Sequence, residues 1–137
     1  MKNCSQGDVY VYQAGRQDGS DELWLPVSAF DGCPRWSPLN QEPPISISEA
    51  VKIAENFHHD KRIAIHHIAL VRAWDERLNS LDKPHEPGIW HYVVSGAFVE
   101  SRSSPYGFTL IVLMNRNTYE PSLIPWEQRG RAPEDEA

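Results

Sequence analysis

Six histidines are the residues of this sequence with the most obvious capacity for chemistry. Two end a predicted helix, three lie in predicted strands and one lies in a loop: His58, His59, His66, His67, His91 and His85. A zinc site needs three or four converging ligands, and these spacings match no zinc motif. Neighbouring residues of a strand point to opposite faces, so only one of His66 and His67 can join any given site. We therefore expect no metal and no cofactor. We expect the helix-end pair to interact with the helix dipole and the strand histidines to be half exposed.

The common catalytic motifs are absent. The sequence contains no nucleophile elbow, dinucleotide-binding glycine motif, phosphate-binding loop or H-E-x-x-H pair. Non-enzymatic function is therefore the main hypothesis. An enzyme or small-molecule binder remains the alternative, with a cavity between helix and sheet in which His67 or His91 acts as acid or base near Tyr92.

Two tryptophans and a set of acids are the candidates for binding. Trp36 lies in a proline-rich connector and Trp74 begins a 14-residue loop, so both are candidates for exposed anchors. The loop, residues 75–88, is longer than a hairpin requires, and loops of this length are often functional. Its acidic residues complete the predicted binding surface: Asp75, Glu76, Asp82 and Glu86. Glu42 and the acids of the C-terminal tail are secondary candidates.

The formal net charge of −6 argues against a nucleic-acid partner, because phosphate binding needs clustered Lys and Arg. It is also compatible with a basic protein partner, although solubility explains an acidic surface more often. The apolar runs are far shorter than the roughly 20 residues that span a bilayer. The first residues lack the apolar core of a secretory signal, so we expect a cytoplasmic protein, or a periplasmic one if a leader has been removed. We expect Cys4 and Cys33 to be free thiols, with one disulfide as the alternative.

A helix is the best-specified local element. Ser46 stands three residues before Glu49, which predicts a capping box at the helix start. Apolar residues then recur with helical spacing and predict one buried stripe: Ile47, Ala50, Val51, Ala54 and Phe57.

The remaining patterns predict an α+β fold, in which one main amphipathic helix packs on an antiparallel sheet of three to five strands; the family resemblances given below imply that this sheet is curved. Residues 1–126 form a single domain, and residues 127–137 form an acidic flexible tail. Within the domain we expect N-terminal strands in 8–30, a connector at 31–44, the helix at 46–59 and the sheet at 62–120. Trp74, Leu78 and Leu81 have the spacing of a short helical turn, with a mobile loop as the alternative. Residues 101–107 are predicted to form a hairpin loop.

The helix start, I-S-x-x-E-A-x-x-I-A, followed by three strands, resembles PepSY-like domains. Those modules often end on a D-x-x-T-G-E turn. Asn115, Thr118 and Glu120 occupy the matching positions, and Tyr119 replaces the glycine. This resemblance implies a helix across a sheet and an exported inhibitory or binding module.

The strand IWHYVVSGAF is similar to one in bacterial immunity proteins with a nuclear-transport-factor-like fold. Trp90, Val94, Gly96 and Phe98 match its W-x-V-x-G-x-hydrophobic pattern, with two additional residues between Trp and Val. Both resemblances cover about residues 45–120. The second implies a bacterial immunity-type protein that binds and inhibits a toxin, with a basic toxin as the expected partner.

Overall fold

The computed structural model describes residues 8–39, 41–59, 61–79, 82–83, 86–99 and 107–129. The predictions for Cys4, Leu81, His85, most of the 101–107 loop and residues 130–137 lie outside the described residues. The elements, in chain order, are β1 (Asp8–Gly15), β2 (Gly19–Pro26), a 3-10 helix (Val27–Phe30), α1 (Ile47–Phe57), β3 (Ile63–Arg72), β4 (Trp90–Phe98), β5 (Phe108–Leu113), β6 (Thr118–Tyr119), β7 (Ser122–Pro125) and α2 (Trp126–Arg129).

Helix α1 begins where the sequence predicts. The Ser46 hydroxyl accepts the backbone N–H of Glu49 at 3.1 Å, and the Glu49 carboxylate accepts the backbone N–H of Ser46 at 3.1 Å. Both bonds of the predicted capping box are therefore present. Arg116 donates to the same carboxylate at 2.8 Å and ties the helix start to the β5–β6 turn.

The buried face of α1 differs from the predicted stripe. Ala50 and Ala54 are fully buried, but Ile47 is 59% exposed and Phe57 is 40% exposed. Ile53 packs against the core beneath the helix, and the capping residue His58 is also buried. The burial of two alanines draws the helix close to the sheet. The contact therefore centres on Ala50, Ile53, Ala54 and His58, and the prediction for the two ends of the stripe was wrong.

Helix α1 covers one face of a four-stranded antiparallel sheet of order β3-β4-β5-β6. Side chains alternate along β4, so Tyr92 and Val94 pack beneath the helix whereas Val93 points to the other face. The Tyr92 hydroxyl donates to the carbonyl of Ile45 at 2.7 Å, which fixes the segment entering the helix.

A second, three-stranded antiparallel sheet of order β1-β2-β7 packs on the other face. Val9, Leu23 and Leu25 of this sheet share a core with Ile111 and Leu113 of β5. Strand β7 was not predicted, because the three residues between Pro121 and Pro125 have no strand pattern of their own. Its pairing with residues 19–22 of β2 defines it.

The chain is thus a single α+β domain in three layers, with one main helix, a four-stranded sheet and a three-stranded sheet. This confirms the predicted fold class. Helix α2 spans the start of the predicted tail. Within the described residues, every helix is too short or too polar to cross a bilayer.

Candidate functional site

A cleft opens between the two sheets, at the edge of the sandwich formed by β1 and β3. It has a volume of about 390 Å³ and we call it the Trp74 cleft. Residues 10–13 of β1 form one wall and Trp74 forms part of the rim. The floor is the face of β3 and β4 that the three-stranded sheet leaves partly uncovered, and its residues are His67, Ala69, Val71, Val93 and Ser95.

Both strands that border the cleft contain a β-bulge. One lies between Tyr10 and Tyr12 in β1, and the other lies between Ile65 and His67 in β3. A bulge adds a residue and changes which side chains face a given layer. In β3, Ile63 and Ile65 pack beneath the helix before the bulge, and Ile68 and Leu70 do so after it. Residues 67, 69 and 71 therefore face the cleft.

The β3 bulge lies at the two neighbouring histidines of that strand. His67 lines the cleft, and His66 and His67 are both exposed, whereas the sequence predicted that the strand histidines are half exposed. The bulge also accounts for Gly96 in β4. A Cβ at this position would collide with the backbone carbonyl of Ala64, so only glycine fits without a shift of the backbone.

Aromatic side chains dominate the walls of the cleft. Tyr10 and Tyr12 come from β1, and Trp74, at 69% exposure, is the third aromatic residue of the lining. The Tyr10 ring packs against Trp24 with centroids 5.1 Å apart, and its hydroxyl donates to the Gln13 side chain at 3.1 Å. The β1 wall is thus braced by hydrogen bonding and ring contact.

A buried carboxylate lies directly behind this wall. Glu22 is only 5% exposed, and it accepts hydrogen bonds from Gln13 Nε2 at 3.3 Å and from Trp24 Nε1 at 3.1 Å. Gln13 lines the cleft, so the carboxylate is one hydrogen bond away from its surface. The Glu22 carboxylate is therefore held behind a residue that lines the cleft.

Trp74 is positioned by a well-bonded turn. The Asp75 carbonyl accepts the N–H groups of Leu78 and Asn79 at 2.9 and 3.0 Å, which makes one helical turn. The Asp75 carboxylate accepts the Arg77 backbone N–H at 2.8 Å and a guanidinium N–H at 2.6 Å. The side-chain hydrogen bond from Arg77 is the main cause of a lowered Asp75 pKa. The predicted turn is present over 75–79, and Leu81, its third predicted residue, lies outside the described residues; Leu78 is buried and Trp74 is exposed.

No protein-family model, curated protein or solved structure matches this chain. The resemblances drawn from the helix start and from strand β4 therefore stay predictions.

The predicted binding residues fall into two groups. Trp74 borders the cleft, and Asp75 supports its turn. Glu76, Asp82 and Glu86 are exposed on the same loop, and the Glu86 carboxylate lies 4.0 Å from the Lys83 ammonium. Asp75 and Glu86 are thus each paired with a basic residue of the same loop, Arg77 and Lys83.

Trp36 is not a surface anchor, and the prediction that it is exposed was wrong. The side chain is 2% exposed and its ring packs 6.0 Å from that of Trp90. The backbone of Trp36 exchanges two hydrogen bonds of 3.0 Å with Gly88, which pulls the proline-rich connector onto the domain. Composition alone predicted a connector on the surface and did not indicate this pairing.

The strand histidines do not form the predicted acid–base site. His67 faces the cleft, whereas Tyr92 packs beneath the helix on the opposite face of the sheet. His91 is buried at 1% exposure instead of half exposed, and neither ring nitrogen has a hydrogen-bond partner among the described residues. Burial lowers the pKa of His91 to about 4. Within the described segments, no three His, Cys, Asp or Glu residues lie close enough together to hold a metal ion.

Cys33 is a free, half-buried thiol. Burial is the largest cause of its raised pKa, and a raised pKa lowers the reactivity of a thiol.

Sequence reasoning missed the β1 wall. Tyr10, Tyr12 and Gln13 were assigned only to a short strand, and Glu22 was not considered. Regular alternation in DVYVYQ could not have located this wall, because the bulge between Tyr10 and Tyr12 breaks it: Tyr12 packs against the same core as Val9, whereas Tyr10 lies opposite Trp24.

Proposed function

We propose that this chain is a non-enzymatic protein-binding domain that captures its partner at the Trp74 cleft. The observation that supports the proposal most strongly is the exposure of Trp74 beside an aromatic-lined opening of about 390 Å³. Tryptophan and tyrosine are enriched among the residues that dominate binding energy at interfaces.

The support around Trp74 favours a role in recognition. Exposed tryptophans bring an apolar surface to water, and an anchor contributes most when its backbone is already ordered. The turn from Asp75 to Asn79 supplies this order through backbone hydrogen bonds and through the Asp75–Arg77 pair. Binding would therefore require little rearrangement of the loop.

The specific form of the proposal is a bacterial immunity-type protein that inhibits a toxin by covering its active surface. A net charge of −6 suits a basic target and would speed the encounter with it. A cytoplasmic location belongs to this form of the proposal, because Cys33 is a free thiol and reducing compartments keep thiols free.

The test is binding of the protein encoded next to this chain's gene. We expect Trp74→Ala to bind this neighbour with a dissociation rate at least about tenfold higher, since hot-spot truncations cost more than about 1.4 kcal/mol. Leu39→Ala is the control, because Leu39 is also exposed and apolar but does not line the cleft. Surface-binding kinetics and melting temperatures of the three proteins are the measurements. Equal dissociation rates for Trp74→Ala and the parent protein would contradict the proposed site.

The charge component can be tested separately with Glu76→Gln and Asp82→Asn. Asp75 is left intact in these variants because it holds the turn. We expect slower association at low salt and a smaller effect as salt rises, because exposed charges act mainly on encounter. Glu55→Gln removes an equal exposed charge from α1 and serves as the control. Equal slowing by the control would assign the effect to net charge and not to the loop.

A small-molecule binder is the second candidate, and the size of the cleft favours it. Ligand pockets typically enclose about 300–1,000 Å³ and combine an apolar lining with a few polar groups. The cleft has this composition, with His67 directly opposite Ser95 across β3 and β4. A metabolite screen by thermal shift, repeated on Ala69→Phe to fill the floor, tests this candidate. Hits that stabilise the parent protein but not the filled variant would support it.

A further inference from the structure

We infer that the Trp74 cleft holds a long cationic side chain, an arginine or lysine, presented by a basic partner protein. This inference rests on the proposed function and names the chemistry that the cleft recognises.

The charges around the cleft support a cation. None of its ten lining residues is a lysine or an arginine. The Glu22 carboxylate lies behind Gln13, and its burial reduces the screening of its charge by water. The whole chain is acidic as well, at −6. An incoming cation would therefore meet a favourable potential both at long range and at the cleft wall.

The aromatic rings provide the local contact. The faces of Trp and Tyr rings attract ammonium and guanidinium groups within about 6 Å of the ring centroid. Trp74, Tyr10 and Tyr12 all line the opening, with Tyr12 on the core side of β1 and Tyr10 beside Trp24. The floor contributes Ala69, Val71 and Val93, which suit the methylene stem of a lysine or arginine. The cleft thus has separate surfaces for the head and the stem of this kind of side chain.

The bulges argue against a different mode, in which a partner adds a strand to an open edge. Strand addition needs a regular row of backbone groups, and bulges are one of the devices that disrupt such a row. Both β1 and β3 are edge strands, and each contains a bulge at the cleft. Recognition of an inserted side chain does not require a continuous ladder.

The experiment uses three short peptides as probes, Ac-Gly-Arg-Gly-NH₂, its citrulline analogue and its phenylalanine analogue. Citrulline keeps the shape of arginine and removes its charge. Each peptide is titrated into the ¹⁵N-labelled full chain while the backbone amides of Ala69 and Val93 and the Trp74 indole are followed. We expect the arginine peptide to shift these signals and to bind at least about fivefold more tightly than the citrulline peptide. Equal or tighter binding of the citrulline or phenylalanine peptide, or no shift at the cleft, would overturn the inference.

Variants then assign the contact. Trp74→Leu keeps an apolar side chain without the ring face, and Glu22→Gln removes the charge behind the wall. Both should weaken arginine binding at least about threefold, whereas Trp126→Leu, which replaces an exposed tryptophan elsewhere, should leave it unchanged. Melting temperatures identify any variant that fails to fold. In that case Tyr12→Leu takes its place, with the same expected loss. Unchanged arginine binding in the folded cleft variants would overturn the inference.

The two proposals can fail separately. In one case, binding of the neighbour protein requires Trp74, but the arginine and citrulline peptides bind equally well. This result would support the proposed function and overturn the present inference. A neighbour that binds Trp74→Ala as well as the parent protein would overturn the proposed function and, with it, the assignment of a partner to the cleft.

Discussion

Asn79 pairs with both backbone groups of Ile89 as a neighbouring strand would. Its Oδ1 accepts the Ile89 N–H at 2.7 Å, and its Nδ2 donates to the Ile89 carbonyl at 3.0 Å and to the Ala73 carbonyl at 2.9 Å. Asn79 is buried, so these bonds are shielded from water. One side chain therefore fastens both ends of the loop that presents Trp74.

Asn79→Ala should destabilise the domain by about 3 kcal/mol, because it leaves buried backbone groups without partners. Asn79→Asp should not restore stability, since a carboxylate cannot donate to the two carbonyls. Urea unfolding gives the free energies. Asn56→Ala, on the exposed side of α1, is the control and should change stability by less than about 0.5 kcal/mol. A loss for Asn79→Ala as small as that of the control would show that Asn79 does not hold the loop.

His91 should make the domain sensitive to acid. Its pKa falls from 6.5 to about 4 on burial, so between these values the unfolded chain binds the proton and the folded chain does not. Stability should therefore be unaffected by His91 above about pH 6.5 and should fall as the pH drops toward 4, by about 3 kcal/mol in total. The measurement is urea unfolding of the parent protein and of His91→Leu at several pH values. The difference between the two proteins separates the contribution of His91 to the pH dependence from the contribution of the carboxylates.

The leucine variant should be at least as stable as the parent protein at pH 7, because an apolar side chain has no polar atoms to desolvate. Its stability should also fall less between pH 6.5 and pH 4. Parallel pH profiles for the two proteins would mean that His91 is already hydrated or hydrogen-bonded in the folded state.

The buried face of α1 gives a paired test. Ala54→Asp should unfold the domain or cost more than about 3 kcal/mol, because it puts a charge against the sheet without a partner. Ile47→Asp should be tolerated, because this position is exposed and lies in the first turn, where the helix dipole favours an acid. Circular dichroism melts distinguish the two. A larger loss of stability for Ile47→Asp than for Ala54→Asp would instead support the buried stripe that was predicted from the sequence.

The capping box predicts a smaller effect at the helix start. Ser46→Ala should cost about 1 kcal/mol, because the Glu49 N–H loses its acceptor. Ser48→Ala is the matched control in the first turn and should have little effect, since the Ser48 hydroxyl is exposed and is hydrogen-bonded to the Ser46 hydroxyl rather than to a backbone N–H in the part of the chain that the structure describes. The denaturant midpoints give both values, and a larger loss for Ser48 would assign the cap to that residue.

Local patterns in the sequence predicted the local elements well. The Ser46–Glu49 spacing located the helix start, and alternation or β-branched content located β1, β3, β4 and β5. These features depend on neighbouring residues, which the sequence displays directly.

Features that depend on distant contacts were not predictable in the same way. The bulge before His67 is set by the pairing of β3 with β4, and the burial of Trp36 is set by its backbone bonds to Gly88. Strand β7 is defined by its backbone pairing with β2, which lies about a hundred residues earlier in the chain. The Trp74 cleft depends on distant contacts of this kind, because β1, β3 and β4 come together to form it. The sequence therefore indicated Trp74 but neither the β1 wall nor the floor of the cleft.

The pairing of β2 with β7 has a consequence for biosynthesis. Strand β7 follows its partner by about a hundred residues, so at about 5–20 residues per second it leaves the ribosome several seconds later. The β1–β2 hairpin must wait over that interval without its third strand, and without Ile111 and Leu113 to cover its apolar face. Such separated contacts slow folding. The apolar face of the nascent hairpin, with Val9, Leu23 and Leu25, therefore stays open to other molecules until translation has reached β5 and β7.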